Sequence, residues 1–135
     1  MNLFAVQVAL NKRLAALLDS ESPKVPLIEE NVEFPASRLF VRATFATGEP
    51  VAAGLGQSAK TRIEGDYVID VFLRTRTGKG QASQLSDKIS NHFARGTVIP
   101  AGSVNIRVRS AGPTGGTIDD GLYHLPIHVR WYCYF

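Results

Sequence analysis

From Leu125 to Phe135 the chain places an apolar residue at every second position. Leu125, Ile127, Val129, Trp131, Cys133 and Phe135 share one side, and His128, Arg130, Tyr132 and Tyr134 share the other. A period of two sustained over that length fits an extended strand, because a helix would scatter the same side chains around its circumference. One face of this strand must meet a core while the other meets solvent or a partner, which is the habit of antiparallel sheets. Pro126 cannot donate to a strand ladder, so the start of the strand belongs at an edge or a bulge.

Three further segments alternate in the same way. Leu39, Val41, Ala43 and Phe45 oppose Arg42 and Thr44. Tyr67, Ile69, Val71 and Leu73 oppose Asp66, Val68, Asp70 and Phe72, and Val104, Ile106 and Val108 oppose Asn105, Arg107 and Arg109. Two other segments carry the helical period. Leu3, Val6, Leu10, Leu14, Leu17 and Leu18 form one stripe, with Asn11, Lys12 and Arg13 largely off it, and Ser22-Pro23 ends the pattern. Ala82, Leu85, Ile89 and Phe93 form a narrower stripe, with Gly96 expected as its C-terminal cap.

The order is thus helix, strand, strand, helix, strand, strand, with a short extended piece between Val25 and Phe34 interrupted by Pro26. This predicts one α+β domain over residues 1–135: a mostly antiparallel sheet of four to five strands with two helices packed on one face. No internal repeat or interdomain linker is visible. Two connections are long for a compact domain, Thr47 to Gly65 and Ser110 to Gly121, and such loops are commonly functional. The first turns basic at Lys60 and Arg62 and could fold as a hairpin arm, with Val51 to Ala53 and Thr61 to Ile63 as weak strands.

Composition bounds the function. The chain has 135 residues, 44% hydrophobic and 20% charged, with a net charge of +3, far short of a dedicated nucleic-acid binder. Cys133 is the only cysteine, which rules out an internal disulfide and a zinc site of paired cysteines and suggests a reducing compartment. The first residues lack the positive charge of a secretory signal, and no apolar run nears the ~20 residues of a membrane span. A soluble, unprocessed protein is the expectation.

Catalytic signatures are weak throughout. His124 and His128 are four apart, a metal-pairing distance on a helix, but on a strand their attachment points stand about 13 Å apart. Asp66 and Asp70 share a strand face with the same separation, too wide to share one proton or small ion. Asp119-Asp120 sits in a glycine-rich stretch, where a turn is the natural role. Cys133 falls on the apolar side of its strand, as expected of a buried, inert thiol. No Gly-x-Ser-x-Gly elbow is present. Gly78-Lys79-Gly80 imitates a phosphate loop but lacks the upstream glycine spacing, and Gln81 stands where Ser or Thr would hold magnesium.

What remains is a surface pattern. Arg107, Arg109, Arg130, Tyr132 and Tyr134, with Arg42 beside them, occupy the non-core sides of their strands. Arg and Tyr suit a protein interface, through large contact area combined with hydrogen bonding. They also suit nucleic acid, through phosphate contact and stacking. An ordinary solvated face explains the arginines better than the two outward tyrosines.

Over nearly its whole length the chain resembles the tail terminator family of long-tailed bacteriophages. The resemblance runs through the first helix with Ala9-Leu10, Leu14 and Leu17, and through Asn31-Val32-Glu33-Phe34-Pro35. Its most specific stretch is Gly65-Asp66-Tyr67-Val68-Ile69-Asp70-Val71-Phe72, followed by Gly78-Lys79-Gly80, Ala82, Leu85, Asp87, Ile89 and Phe93. It closes with Tyr123-His124-Leu125-Pro126-Ile127-His128-Val129.

This resemblance implies a structural virion subunit in a homo-oligomeric ring, typically of six, stacked on the tail tube once the tail reaches its length. The implied partners are further copies of the chain, the tail tube protein and a head-completion or connector protein, with DNA passing through the lumen without sequence specificity. It implies no cofactor, no catalytic residue and no membrane. The implied location is the head-proximal end of the virion tail, and the host cytoplasm during assembly. Arg42, Lys60, Arg62, Arg107, Arg109, Arg130, Tyr132 and Tyr134 are the candidate subunit-interface or lumen residues. Lys60 and Arg62 are expected on a loop facing the channel or a neighbouring subunit, so that replacing both with Glu should hinder assembly or DNA passage. The rival readings are another neck or head-closure component and a small nucleic-acid-binding module.

Overall fold

In the computed structural model, which describes residues 1–56, 58–75 and 79–135, the chain runs α1 (Leu3–Asp19), β1 (Leu27–Ile28), β2 (Leu39–Thr47), β3 (Val51–Ala52), β4 (Thr61–Arg74), α2 (Gly80–His92), β5 (Val98–Ala101), β6 (Val104–Pro113), β7 (Thr117–Asp119) and β8 (Leu122–Tyr134). One sheet holds all the strands in the order β1-β2-β4-β8-β6-β5, with β3 attached to β4 and β7 to β8. The α+β class and the two helices agree with the sequence reading, but the strand count does not. The described residues contain eight strands, and β1 pairs with β2 in parallel.

The additional strands have identifiable causes. Strands β1, β3, β5 and β7 have two to four residues each, too short for alternation to show. The two stretches read as long connections are partly ladder. Strand β4 already begins at Thr61 and β3 faces it through Val51↔Arg62, as in the hairpin-arm alternative. Strand β6 continues to Pro113, and β7 turns into β8 through Asp120 and Gly121, both at positive φ (48° and 76°), the requirement of a tight hairpin of this handedness.

The core lies between the two helices and one sheet face. Val6, Leu10, Leu14 and Leu18 of α1 and Ala82, Leu85 and Ile89 of α2 are buried against Tyr67, Ile69, Val71, Ile106, Val108, Ile127, Val129 and Trp131. Asn2 caps α1 by accepting the Ala5 amide at 3.0 Å. Gly96 does not cap α2, which ends at His92 with Phe93 in the cap position. Gly96 instead lies beyond it in the left-handed region (φ 89°) and its amide donates to the Val108 carbonyl, tying the following turn to β6.

The helices are joined directly. Arg13 Nε and Nη2 donate to the His92 carbonyl at 3.0 and 2.7 Å, and His92 Nε2 donates to the Arg13 carbonyl at 3.0 Å. The last-turn carbonyl of α2, without a partner inside its own helix, is thereby satisfied by a cation from α1. The Tyr67 hydroxyl donates to Asn11 Oδ1, fixing α1 over β4, and burial pushes that phenol well above the usual tyrosine range.

Gly65 marks a close approach between neighbouring strands. It faces Trp131 across the β4–β8 ladder, and a Cβ there would stand 2.3 Å from Trp131 Cζ2 and 2.5 Å from the Ala46 carbonyl oxygen. Trp131 in turn stacks on Phe45, ring centroids 5.5 Å apart. A bare backbone at position 65 is what lets the indole lie flat over it.

Candidate functional site

The sheet face away from the helices divides into two halves along its strands. At one end Phe40, Phe72 and His124 stand side by side through the pairs Phe40↔Phe72 and Phe72↔His124. Phe34, from the segment after β1, closes over them with ring centroids 5.1 and 5.0 Å from Phe40 and Phe72. Arg42 and Arg74 lie over these rings. This small second cluster buries Phe72, although the sequence reads it as the non-core side.

Next to the cluster the two histidines find carboxylates, not each other. His124 Nε2 donates to Asp70 Oδ1 at 2.6 Å and His128 Nδ1 to Asp66 Oδ2 at 2.7 Å. In the register, Phe72 faces His124 and Val68 faces His128, so each aspartate reaches its histidine diagonally across the β4–β8 ladder. Arg42 completes the first pair, with Nη2 3.3 Å from Asp70 Oδ2. Asp70 is only 5% exposed, and two donors from neighbouring strands satisfy it there. These links cross-brace β2, β4 and β8.

Toward the other end the face is bare. Moving along the ladder, Asp66 stands opposite Arg130, Glu64 opposite Tyr132 and Arg62 opposite Tyr134, while Arg107 of β6 faces Tyr132 from the far side. Arg109 shares this face by the two-residue period, and the register shift between Val108 and Ser110 leaves it with no residue directly opposite in β8. Arg109 Nη1 reaches Glu64 Oε1 at 3.2 Å, and Arg62 Nη2 reaches the same oxygen at 2.7 Å. The Arg62 guanidinium also lies 4.7 Å from the Tyr132 ring centroid, and Tyr132 meets Tyr134 edge-on. Such exposed ion pairs are worth at most ~1 kcal/mol each. Their effect is to gather the Arg62 and Arg109 guanidinium groups around one carboxylate oxygen.

Arg62, Arg107, Arg109, Arg130, Tyr132 and Tyr134 are thus brought together on one open surface. Arg42 is not among them, being committed to Asp70 and the phenylalanine cluster. Arg62 is not on a loop, as the sequence suggested, but in β4, because the strand extends to Thr61; Lys60 alone of that pair stands just outside the ladder, exposed. Two contributors escape sequence reading. Glu64 precedes Gly65, where the apolar alternation is broken, and Phe34 lies in a stretch without period.

The other candidates have ordinary surroundings. Burial pushes the Cys133 thiol up to about 11, away from nucleophilic character. Asp120 is the turn residue of the β7–β8 hairpin. Gly78 lies outside the described residues, while Lys79 Nζ stands 5.2 Å from the Tyr123 ring centroid and Gly80 begins α2. Among the described residues no three His, Cys, Asp or Glu side chains group as metal ligands, and no helix is long and apolar enough to cross a membrane.

A protein-family model described as phage tail terminator protein matches residues 5–131. One solved structure aligns over 100% of this chain and 97% of its own, with a TM-score of 0.82 and 21% sequence identity, a likeness of fold. No curated protein matches the chain.

Proposed function

The chain belongs to the phage tail terminator protein family, a structural component of phage tails, and from that premise we propose that it forms a closed ring of six copies capping the tail tube. On this reading the ring ends tube elongation and offers its other side to a head-completion or connector protein. The observation that carries the reading is the combination of a family match spanning residues 5–131 with an open arginine and tyrosine face braced by Glu64. A heterologous ring needs two different complementary patches on each subunit. Stacking that ring on a tube needs a further patch, and the open face suits it: it is rich in the residues interfaces favour and has hydrogen-bonding capacity to spare. The family is structural, and no catalytic role is assigned to any residue.

Native mass over a concentration series, with negative-stain imaging of any large species, tests the proposal. Closed rings of six, and binding of those rings to the ends of isolated tail tubes, are the expected result. A chain that is monomeric at every concentration and ignores tube ends would defeat it. Arg107→Glu with Arg130→Glu should leave the fold intact, because both side chains are exposed, and abolish tube capture.

A further inference from the structure

The two edges of the sheet are treated differently. Strand β5 closes one edge, and Pro100 in its middle removes a donor from the row that another strand would need. The opposite edge is open. Strand β1 covers only Val41 and Arg42 of β2, and among the described residues no strand lies on that side beyond Arg42. The Val41 amide points outward to the Pro26 carbonyl at 2.9 Å. By the two-residue period of a strand, the main-chain groups of Phe45 and Thr47 point out along the same edge.

Beside that edge runs a groove of about 690 Å³ between β2 and α1. Its lining is mixed: an apolar trough of Val8 and Ala15 from the helix and Ile28, Ala43 and Phe45 from the strands runs beside the polar Gln7 and Asn11. Its rim is charged: Lys12 on the helix side, Glu29 and Glu30 where β1 ends. An open row of peptide groups next to an apolar trough is what an added strand or hairpin requires.

The chain itself carries a segment of the right chemistry. The hairpin formed by β3 and the start of β4 projects beyond β2, its tip closed by the Ala53 amide donating to the Lys60 carbonyl at 2.8 Å. It presents Val51 and Leu55 to solvent, Leu55 fully exposed. Lys60 and Glu49, both exposed, flank it and mirror the Glu29–Glu30 and Lys12 charges of the groove.

We propose that the groove beside the open β2 edge receives the β3–β4 hairpin of a second copy of this chain. Leu55 enters the apolar trough, Lys60 meets Glu29 and Glu30, and Glu49 meets Lys12. The proposal rests on the ring reading above and names the contact that would join one subunit to the next. Because the hairpin and the groove are different surfaces, the joint is head-to-tail and every copy can give and receive one.

Charge exchange and cross-linking in the full-length chain test it together. Lys60→Glu alone, and Glu29→Lys with Glu30→Lys, should each raise the concentration for half-assembly about 10-fold, and combining them should restore most of the loss. Mixing Leu55→Cys chains with Val8→Cys chains under mild oxidation should give a linked heterodimer, Cys133 being buried. Rings that assemble with neither rescue nor cross-link overturn the docking and leave the ring reading standing. A chain that never self-associates overturns both. Protection of Val8→Cys from thiol labelling only on intact tails, not in free rings, gives the groove to the tube protein and overturns the second-copy assignment.

Discussion

Gly65→Ala is a one-methyl change with a large expected effect. The new Cβ would stand 2.3 Å from Trp131 Cζ2 and 2.5 Å from the Ala46 carbonyl oxygen, well inside the ~3.5–4.0 Å at which carbon atoms pack. Neither neighbour yields cheaply. Trp131 is sandwiched by Phe45, and Ala46 is held in register opposite Asp66. Overpacking of a tight core costs ~1–3 kcal/mol, and two rigid obstacles place this site near the upper figure. Unfolding a chain of 135 residues carries about 0.28 kcal/mol/K of entropy near the midpoint, so ~3 kcal/mol lowers Tm by about 10 °C. In urea, with a slope of ~2 kcal/mol/M, the midpoint should fall by about 1.5 M. Trp131 is the only tryptophan, so its fluorescence reports both the transition and any shift of the ring. A Trp131→Phe background removes the indole carbons in conflict, and there Gly65→Ala should cost at least ~1 kcal/mol less, measured by far-ultraviolet circular dichroism. Strictly additive losses in the double variant, or a Gly65→Ala chain within ~0.5 kcal/mol of the parent, would refute the steric argument.

Other consequences are open to direct measurement. Burial raises the Cys133 thiol to about 11, so its folded-state value lies above that of the unfolded chain. This thiol's contribution is therefore complete below pH ~9 and is lost as pH rises toward 11, by up to ~1.4 kcal/mol per pH unit, and Cys133→Ala should flatten that part of the profile measured by urea midpoints. Asp70→Ala strands Arg42 and His124 on the covered half of the open face and should cost about 1–3 kcal/mol, whereas Glu64→Gln on the bare half should cost under ~1 kcal/mol; equal losses would contradict the division of that face. Gly121→Ala, forced to keep φ near 76°, should lose ~1–2 kcal/mol in thermal unfolding, while Asp120→Asn, at φ 48°, should be nearly neutral.

The four long strands and both helices were legible because each buries one stripe, and a buried stripe imposes its geometric period on the sequence. Leu125 to Cys133 show this best: the apolar positions are all buried. The period fails where burial is two-sided or the element is brief. Phe72 lies opposite the core stripe yet is buried, because Phe34 folds over it from a segment without pattern. Val98–Ala101 alternates in burial but is too short for its sequence to show it, and it contains Pro100. The candidate site was half legible for a related reason. Facing a strand outward is a property of one strand, so Arg107, Arg109, Arg130, Tyr132 and Tyr134 could be identified singly. Pairing is a property of register between strands distant in sequence, so the Asp66–His128 and Asp70–His124 links could not be read from spacing, nor could the departure of Arg42 from the group.

The divided sheet face has a consequence for divergence. On the Phe34-covered half, a substitution disturbs the aromatic cluster and the cross-strand ties, and so is tested against folding itself. On the half carrying Arg107, Arg109, Arg130 and the tyrosines, side chains touch little of the fold and are tested only against whatever they meet. Descendants of such a chain can rewrite that half rapidly, matching a changing neighbour, while the helices and the braced end hold the architecture still. A shared fold at 21% identity is the outcome such uncoupling would leave behind.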